Sequence, residues 1–117
     1  MAKTLLLVDD DRHILETARD ILEEAGFDIQ TAETGAQALQ MLKGRPCHLM
    51  IVDYNLVDMT GVELTGQAKK LHPEIPVILM TGEANVDLGA AKSLIGEILT
   101  KPVNPAALIE LIRKVLR

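Results

Sequence analysis

Four short apolar runs in this sequence each end on polar residues whose side chains could handle a phosphoryl group. The residues at these ends are the acidic pair Asp9-Asp10, the acid Asp53, the hydroxyl residue Thr81 and the ammonium residue Lys101. Carboxylates packed together repel one another, so such a group either raises a pKa or recruits a cation. Small hard cations prefer oxygen ligands, and Mg²⁺ takes one or two carboxylates together with phosphate oxygens. If the four runs are neighbouring parallel strands, these side chains meet at one edge of a sheet.

The same residues also have simpler structural interpretations. The triple Asp9-Asp10-Asp11 could be turn and N-cap acids ahead of a helix, and we predict that Asp11 is that cap. An aspartate that ends a buried strand is often a loop residue, and Lys101-Pro102 could be an ordinary strand exit. The occurrence of all of these residues together at strand ends favours the functional interpretation.

Hydrophobic periodicity along the chain alternates between strand-like and helix-like segments, which predicts βα units and a parallel sheet. We predict five strands and five helices in strict alternation. That alternation indicates a doubly wound α/β sandwich, whose ligands bind outside the carboxyl ends of strands where the strand order reverses. Periodicity alone does not give the strand order.

Local signals predict where most helices begin and end. Gly26 is predicted to end the first helix as a left-handed cap. Thr34 and Gln37 are predicted to open the second helix as a capping box. The third helix is predicted from about Gly61 to Leu71, and Asn104 is predicted to cap the last one, with a proline at its first helical position.

Composition argues against several classes of function. At 117 residues the chain is long enough for one domain, predicted to span residues 1–117. The net charge of −5, with no basic run, argues against direct nucleic-acid binding. The single cysteine, Cys47, cannot form an internal disulfide, and no Cys/His spacing indicates a zinc site. The apolar stretch near the N-terminus is too short for a signal peptide or a membrane span, so we expect a cytoplasmic protein with no membrane partner.

The ordered set of polar residues resembles the receiver domains of two-component response regulators, including the single-domain chemotaxis type, over the whole chain. The features that carry the resemblance are Asp9-Asp10 after strand one, Asp53 ending strand three, Gly61 eight residues further on, Thr81 ending strand four, and Lys101-Pro102 ending strand five. The resemblance implies a flavodoxin-like (βα)₅ sandwich with a five-stranded parallel sheet of order 2-1-3-4-5.

The resemblance also implies a site for Mg²⁺, with Mn²⁺ as an alternative ion. Asp10, Asp53 and the backbone carbonyl of Asn55 match the metal ligands of the family, and Asp9 matches the second acid, which acts through water. Asn55 and Glu83 hold family positions that influence the lifetime of the aspartyl phosphate.

Three site residues match the family's phosphoryl chemistry. Asp53 matches the phosphoacceptor, whose carboxylate oxygen attacks phosphorus to form an aspartyl phosphate. Thr81 and Lys101 match the residues that stabilise charge on the phosphoryl oxygens.

The implied function is a phosphorylation-dependent signalling switch. A histidine kinase or phosphotransfer protein donates the phosphoryl group, and the face formed by helix 4, strand 5 and helix 5 then changes its affinity for a downstream protein or a fused output domain. Such a domain is a substrate that catalyses its own modification, not a turnover enzyme. Homodimerisation is left open.

The sequence departs from the family pattern in three places. Ile98 stands where many receivers carry Tyr or Phe, so we expect a smaller or differently shaped signal at the face of helix 4, strand 5 and helix 5. Val57 replaces a proline, which leaves the loop after strand three less constrained, and metal affinity is expected to suffer. The stretch between Thr81 and Lys101 is shorter than in typical members, and the helix predicted there, from Asn85 to Ser93, is interrupted by a glycine.

Two other functions are weighed against this one. The triple Asp9-Asp10-Asp11 contains the Asp-x-Asp spacing of haloacid-dehalogenase-type phosphatases, but His13 stands where Thr or Val is usual and Asp53 would have no role. The second alternative is a degenerate receiver that binds partners without being phosphorylated, which the departures from the family pattern keep open.

Overall fold

The computed structural model describes residues 2–82 and 88–117. Within them the chain forms five β-strands, four α-helices and one 3₁₀ helix. The strands are β1 (Thr4–Val8), β2 (Asp28–Ala32), β3 (Leu49–Asp53), β4 (Val77–Thr81) and β5 (Glu97–Thr100); the α-helices are α1 (Arg12–Glu24), α2 (Gly35–Gly44), α3 (Gly61–Leu71) and α4 (Pro105–Val115); the 3₁₀ helix is Gly89–Leu94. None of these helices is both long enough and apolar enough to cross a membrane.

All five strands run parallel in one sheet of order β2-β1-β3-β4-β5. The predicted α/β class and strand order are therefore confirmed. The order reverses beside β1, because β2 pairs with one of its edges and β3 with the other. In open parallel sheets, ligands bind outside the carboxyl ends of the strands at such a point.

Two apolar layers cover the sheet, and β1, β3 and β4 are buried along their whole length. One face packs against α2 and α3, where Leu42 and Leu64 are fully buried. The other packs against α1 and α4, where Leu22 and Ile112 are fully buried. Burying a Leu or Ile side chain contributes about 1.5–3 kcal/mol, so these layers hold the strand ends in fixed positions relative to one another.

The observed helix ends confirm several of the local predictions. Gly26 follows α1 with a φ of +100°, a conformation that glycine adopts without steric cost. The Asp11 side chain accepts two backbone amides in the first turn of α1, as the predicted N-cap. Helix α3 spans the predicted Gly61–Leu71, and the side chain of Asn104 caps α4.

Two helix predictions differ from the structure. Half of the predicted capping box forms: Thr34 Oγ1 accepts the Gln37 amide, but Gln37 Oε1 accepts the amide of Glu33 instead of that of Thr34. The helix predicted from Asn85 to Ser93 begins outside the described residues, and Gly89–Leu94 is a 3₁₀ helix instead of an α-helix. Its first residue has a φ of +55°, which an α-helix passing through that position does not allow.

Candidate functional site

The carboxyl ends of four strands place the predicted site residues along one edge of the sheet. Asp53 and Thr81 are the last residues of β3 and β4, and Asp9 and Lys101 directly follow β1 and β5. These strands are neighbours in the order β1-β3-β4-β5. The Lys101 amide donates to the Thr81 carbonyl at 2.7 Å, which continues the β4-β5 pairing up to the site.

The carboxylates of Asp9, Asp10 and Asp53 form a cluster in which one oxygen of each lies within 4.8 Å of the others. Asp9 and Asp53 are buried, with 1% and 7% of their surface exposed, whereas Asp10 is open to solvent. Oxygen donors with an opening to water suit Mg²⁺, which keeps several waters when it binds carboxylates. The cluster could therefore hold a divalent metal ion, in the place that the sequence predicted.

The Lys101 ammonium lies between two of these acids. Its Nζ is 2.7 Å from Asp53 Oδ1 and 3.2 Å from Asp9 Oδ2. Burial lowers the pKa of Lys101, but the hydrogen bond to Asp53 and the charges of both acids outweigh burial, and the net pKa is raised. Burial raises the pKa of Asp9, and the Asp11 amide and the Lys101 charge offset only part of that effect. At this site, the buried carboxylates of Asp9 and Asp53 are therefore paired with the ammonium group of Lys101.

The loop over residues 54–60 joins β3 to α3 and carries Asn55. It is a narrow turn, because Asn55 and Thr60 form an antiparallel bridge across it. A Cβ atom at Gly61 would collide with the backbone carbonyl oxygen of Asp53. Only glycine therefore allows α3 to begin this close to the end of β3.

Asp58, in the same loop, makes a contact that sequence reasoning missed. Its Oδ1 and Oδ2 accept hydrogen bonds, each at 2.9 Å, from the amides of Gly35 and Ala36, the first two residues of α2. These hydrogen bonds hold the pKa of Asp58 below its usual value. The donors are 23 and 22 residues away along the chain, so no local spacing signals the contact.

The remaining predicted residues are only partly placed at the site. Thr81 is buried at the end of β4, and Asn55 is exposed in the loop after β3. Glu83 lies outside the described residues. Asp11, which the phosphatase hypothesis pairs with Asp9, lies outside the acidic cluster and accepts the amides of the first turn of α1 at 3.0 and 3.3 Å.

Comparison with known proteins shows which family this chain resembles in sequence. The family model of the response regulator receiver domain matches residues 5–113. The transcriptional regulatory protein GlrR of Escherichia coli (strain K12) is 34% identical over 110 residues, which cover 92% of this chain and 25% of that protein. The chain thus spans about a quarter of the length of this relative.

Solved structures of receiver domains superpose on the whole chain. A CheY-like response regulator receiver domain protein from Methanospirillum hungatei JF-1 has a TM-score of 0.93 at 34% identity, covering 99% of this chain and 94% of its own. The response regulator protein TrrA from Thermotoga maritima, in complex with Mg²⁺-BeF, has a TM-score of 0.89 at 30% identity, covering 97% of this chain and 99% of its own. The matched family model, the sheet order and the acidic cluster agree, and the chain belongs to the response regulator receiver domain family.

Proposed function

We propose that this receiver domain is a signalling switch that accepts a phosphoryl group on Asp53 from a phosphohistidine donor. The observation that carries the proposal is the position of Lys101 Nζ, 2.7 Å from the Asp53 carboxylate and within reach of Asp9 in the same acidic cluster. A cation fixed in this position stabilises charge that develops on transferred phosphoryl oxygens. The domain is a self-modifying substrate in this proposal, not a turnover enzyme.

The transfer step uses side chains at the strand ends. A carboxylate oxygen of Asp53 attacks phosphorus, and a P–O bond forms while the P–N bond to the donor histidine breaks. The electron pair of the broken bond stays on the imidazole nitrogen. Lys101 stabilises the charge on the phosphoryl oxygens, and Thr81, at the end of the neighbouring strand, donates its hydroxyl to one of them. Because Asp53 ends a fully buried strand, its position is set before the donor arrives.

The acidic cluster is proposed to hold Mg²⁺, with Mn²⁺ as an alternative. Asp10, Asp53 and the carbonyl of Asn55 would hold the ion, and Asp9 would act through water. A bound ion supplies positive charge that offsets the repulsion of the acids and of the incoming phosphoryl group. The complex of TrrA with Mg²⁺-BeF supports this assignment.

The proposed donor is a histidine kinase or a phosphotransfer protein in the cytoplasm. A groove of about 590 Å³ between α1 and α4 opens beside Lys101 and is lined by apolar residues that include Ile14 and Val103. An exposed apolar groove beside the site is the kind of surface that a protein partner covers, so the groove supports a protein donor.

The proposed output surface is the face of the 3₁₀ helix, β5 and α4. Ile98 is 44% exposed there and has no ring to reorient, so we infer a smaller or differently shaped response than an aromatic residue would give. The recipient would be a downstream protein, a fused output domain or a second copy of the chain. The length of GlrR, of which this chain matches 25%, supports a fused output domain.

Incubation with acetyl phosphate and Mg²⁺, followed by intact mass spectrometry, tests the proposal. We expect the mass of one phosphoryl group on the wild-type protein and on Asp20→Asn, an exposed acid of α1, but none on Asp53→Asn. No mass increase with any donor would favour an interaction module that is not phosphorylated. Turnover of p-nitrophenyl phosphate that survives Asp53→Asn but not Asp9→Asn would support a phosphatase instead.

A further inference from the structure

The start of helix α2 is capped by two different parts of the chain. The first four amides of an α-helix, counted from the N-cap residue, have no partner within the helix. Here the amide of Gln37 is accepted by the local N-cap Thr34 at 3.0 Å. The amides of Gly35 and Ala36 are both accepted by the carboxylate of Asp58, from the loop after β3. That loop is therefore joined to α2 by two hydrogen bonds at the positive end of the helix dipole.

A second contact lies beside the first. A Cβ atom at Gly35 would be 2.5 Å from Met59 Sδ, so the Met59 side chain occupies the space left by the glycine. Met59 is half-buried and packs against the core cluster on the α2 and α3 side. Consecutive residues of the loop, Asp58 and Met59, thus rest on the same turn of α2, and we call this pair of contacts the loop clamp.

The loop that carries the clamp also carries the carbonyl group assigned to the metal. The Leu56 amide donates to the Met59 carbonyl at 3.1 Å, and Asn55 bridges to Thr60, so the loop is one short hydrogen-bonded turn with the clamp at its tip. Val57, which stands where the family has proline, is 74% exposed and contributes no packing that could replace the proline ring. The described contacts that fix the turn in place are therefore its internal hydrogen bond and bridge and its anchor on α2.

We propose that Asp58 is a positioning residue for the metal site, which holds the Asn55 carbonyl in place by anchoring the loop to α2. This inference rests on the proposed function, because it takes Asn55 as a ligand of Mg²⁺. Asp58 itself lies outside the acidic cluster that would hold the ion. It replaces, by a contact to a distant helix, the restraint that a proline supplies within the loop.

Isothermal titration of the whole chain with Mg²⁺ alone tests the inference. Residues that orient metal ligands typically affect affinity by 10–100-fold, so we expect Asp58→Ala to raise the Mg²⁺ dissociation constant about tenfold. Asp58→Asn keeps one accepting oxygen and should fall between that variant and the wild-type protein. Thr34→Ala is the matched control, because it removes a capping contact from the same end of α2 without touching the loop.

Thermal unfolding of each variant separates positioning from general stability. We expect Asp58→Ala and Thr34→Ala to lower the midpoint by similar amounts, while only the Asp58 variants lose Mg²⁺ affinity. Equal losses of affinity in both variants, or wild-type affinity in Asp58→Ala, would overturn the positioning role and leave the proposed function intact. Absence of Mg²⁺ binding by the wild-type protein would overturn the metal site of the proposed function and the positioning role with it.

Discussion

Replacing Lys101 with methionine removes an ammonium group from the acidic cluster while keeping most of the apolar stem of the side chain. Asp9 and Asp53 then remain buried without the cation that lies between them. We expect the variant to fold, with a lower free energy of unfolding at pH 7.

The size of the loss follows from the two ion pairs. At 2.7 and 3.2 Å, unit charges attract by about 1.5 and about 1.3 kcal/mol even at the dielectric constant of water, and by more in a partly buried site. Removing the ammonium also removes the free-energy cost of burying it, which offsets part of the lost attraction. The part of the loss that comes from Asp9 has a ceiling, because Asp9 can take up a proton: from its ordinary pKa of 3.8 to pH 7, at about 1.36 kcal/mol per unit, protonation costs at most about 4.4 kcal/mol. We therefore expect a loss of about 2–3 kcal/mol.

Urea denaturation followed by far-ultraviolet circular dichroism, at pH 7 and pH 4.5, measures this loss. The loss should shrink at pH 4.5, because the raised pKa of Asp9 rises further without Lys101 and the acid becomes neutral. Mg²⁺ at ten times its dissociation constant should return about 1.4 kcal/mol at pH 7. The control is Lys114→Met, whose exposed ion pair with Glu97 at 3.5 Å should contribute less than about 1 kcal/mol.

Two results would refute this reasoning. One is a Lys101→Met protein as stable as the wild type at pH 7, which would mean that the buried acids do not need the cation. The other is a loss of equal size at pH 7 and pH 4.5, which would assign the effect to side-chain packing instead of charge.

Three further predictions concern the same edge of the sheet. Gly61→Ala should lower the free energy of unfolding by about 1–3 kcal/mol in urea denaturation, because the added Cβ meets the backbone at the end of β3. The control is Gly66→Ala in the same helix, where no atom lies within 4 Å of the added Cβ and the free energy of unfolding should rise by up to about 1 kcal/mol. Equal effects of the two substitutions would contradict the close approach at Gly61. Asp9→Asn should have a free energy of unfolding at pH 7 at least equal to that of the wild type, but it should bind Mg²⁺ more weakly; a less stable variant at pH 7 in the same assay would count against this. The raised pKa of Asp9 gives the wild type stability that is present below the ordinary pKa of 3.8 and is lost as the pH rises through the folded-state pKa. The stability advantage of the variant should therefore vanish as the pH falls below 3.8. Backbone NMR shifts with and without a beryllofluoride mimic should change most at Thr81 and Lys101 and less at Ile98, and changes centred on Ile98 as large as those of receivers with an aromatic residue there would contradict the smaller response.

Much of the fold could be predicted because its signals are local. Strand β3 ends at Asp53 and helix α3 spans Gly61–Leu71, as predicted. A continuous apolar run marks the strand, and His72-Pro73 marks the end of the helix. The conformation of Gly26 was likewise predictable, because a positive φ after a helix favours one residue type. The strand order was not local, and it came from the family resemblance.

The parts that could not be predicted depend on contacts between distant residues. Asp58 and its partners on α2 share no spacing that a sequence pattern would reveal. The double pairing of Lys101 with Asp9 and Asp53 required the positions of three strand ends at once. The 3₁₀ helix at Gly89–Leu94 was missed because an apolar pattern does not distinguish it from an interrupted α-helix.

The ion pair between Asp53 and Lys101 also joins the two halves of the sandwich. From Asp53 the chain passes to α3, which packs on one face of the sheet, and from Lys101 it passes to α4, which packs on the other. In the proposed function, a phosphoryl group on Asp53 would alter this ion pair. The change would then act on the starts of α3 and α4, which lie on opposite faces of the sheet, so that a partner on either face could respond to the same modification.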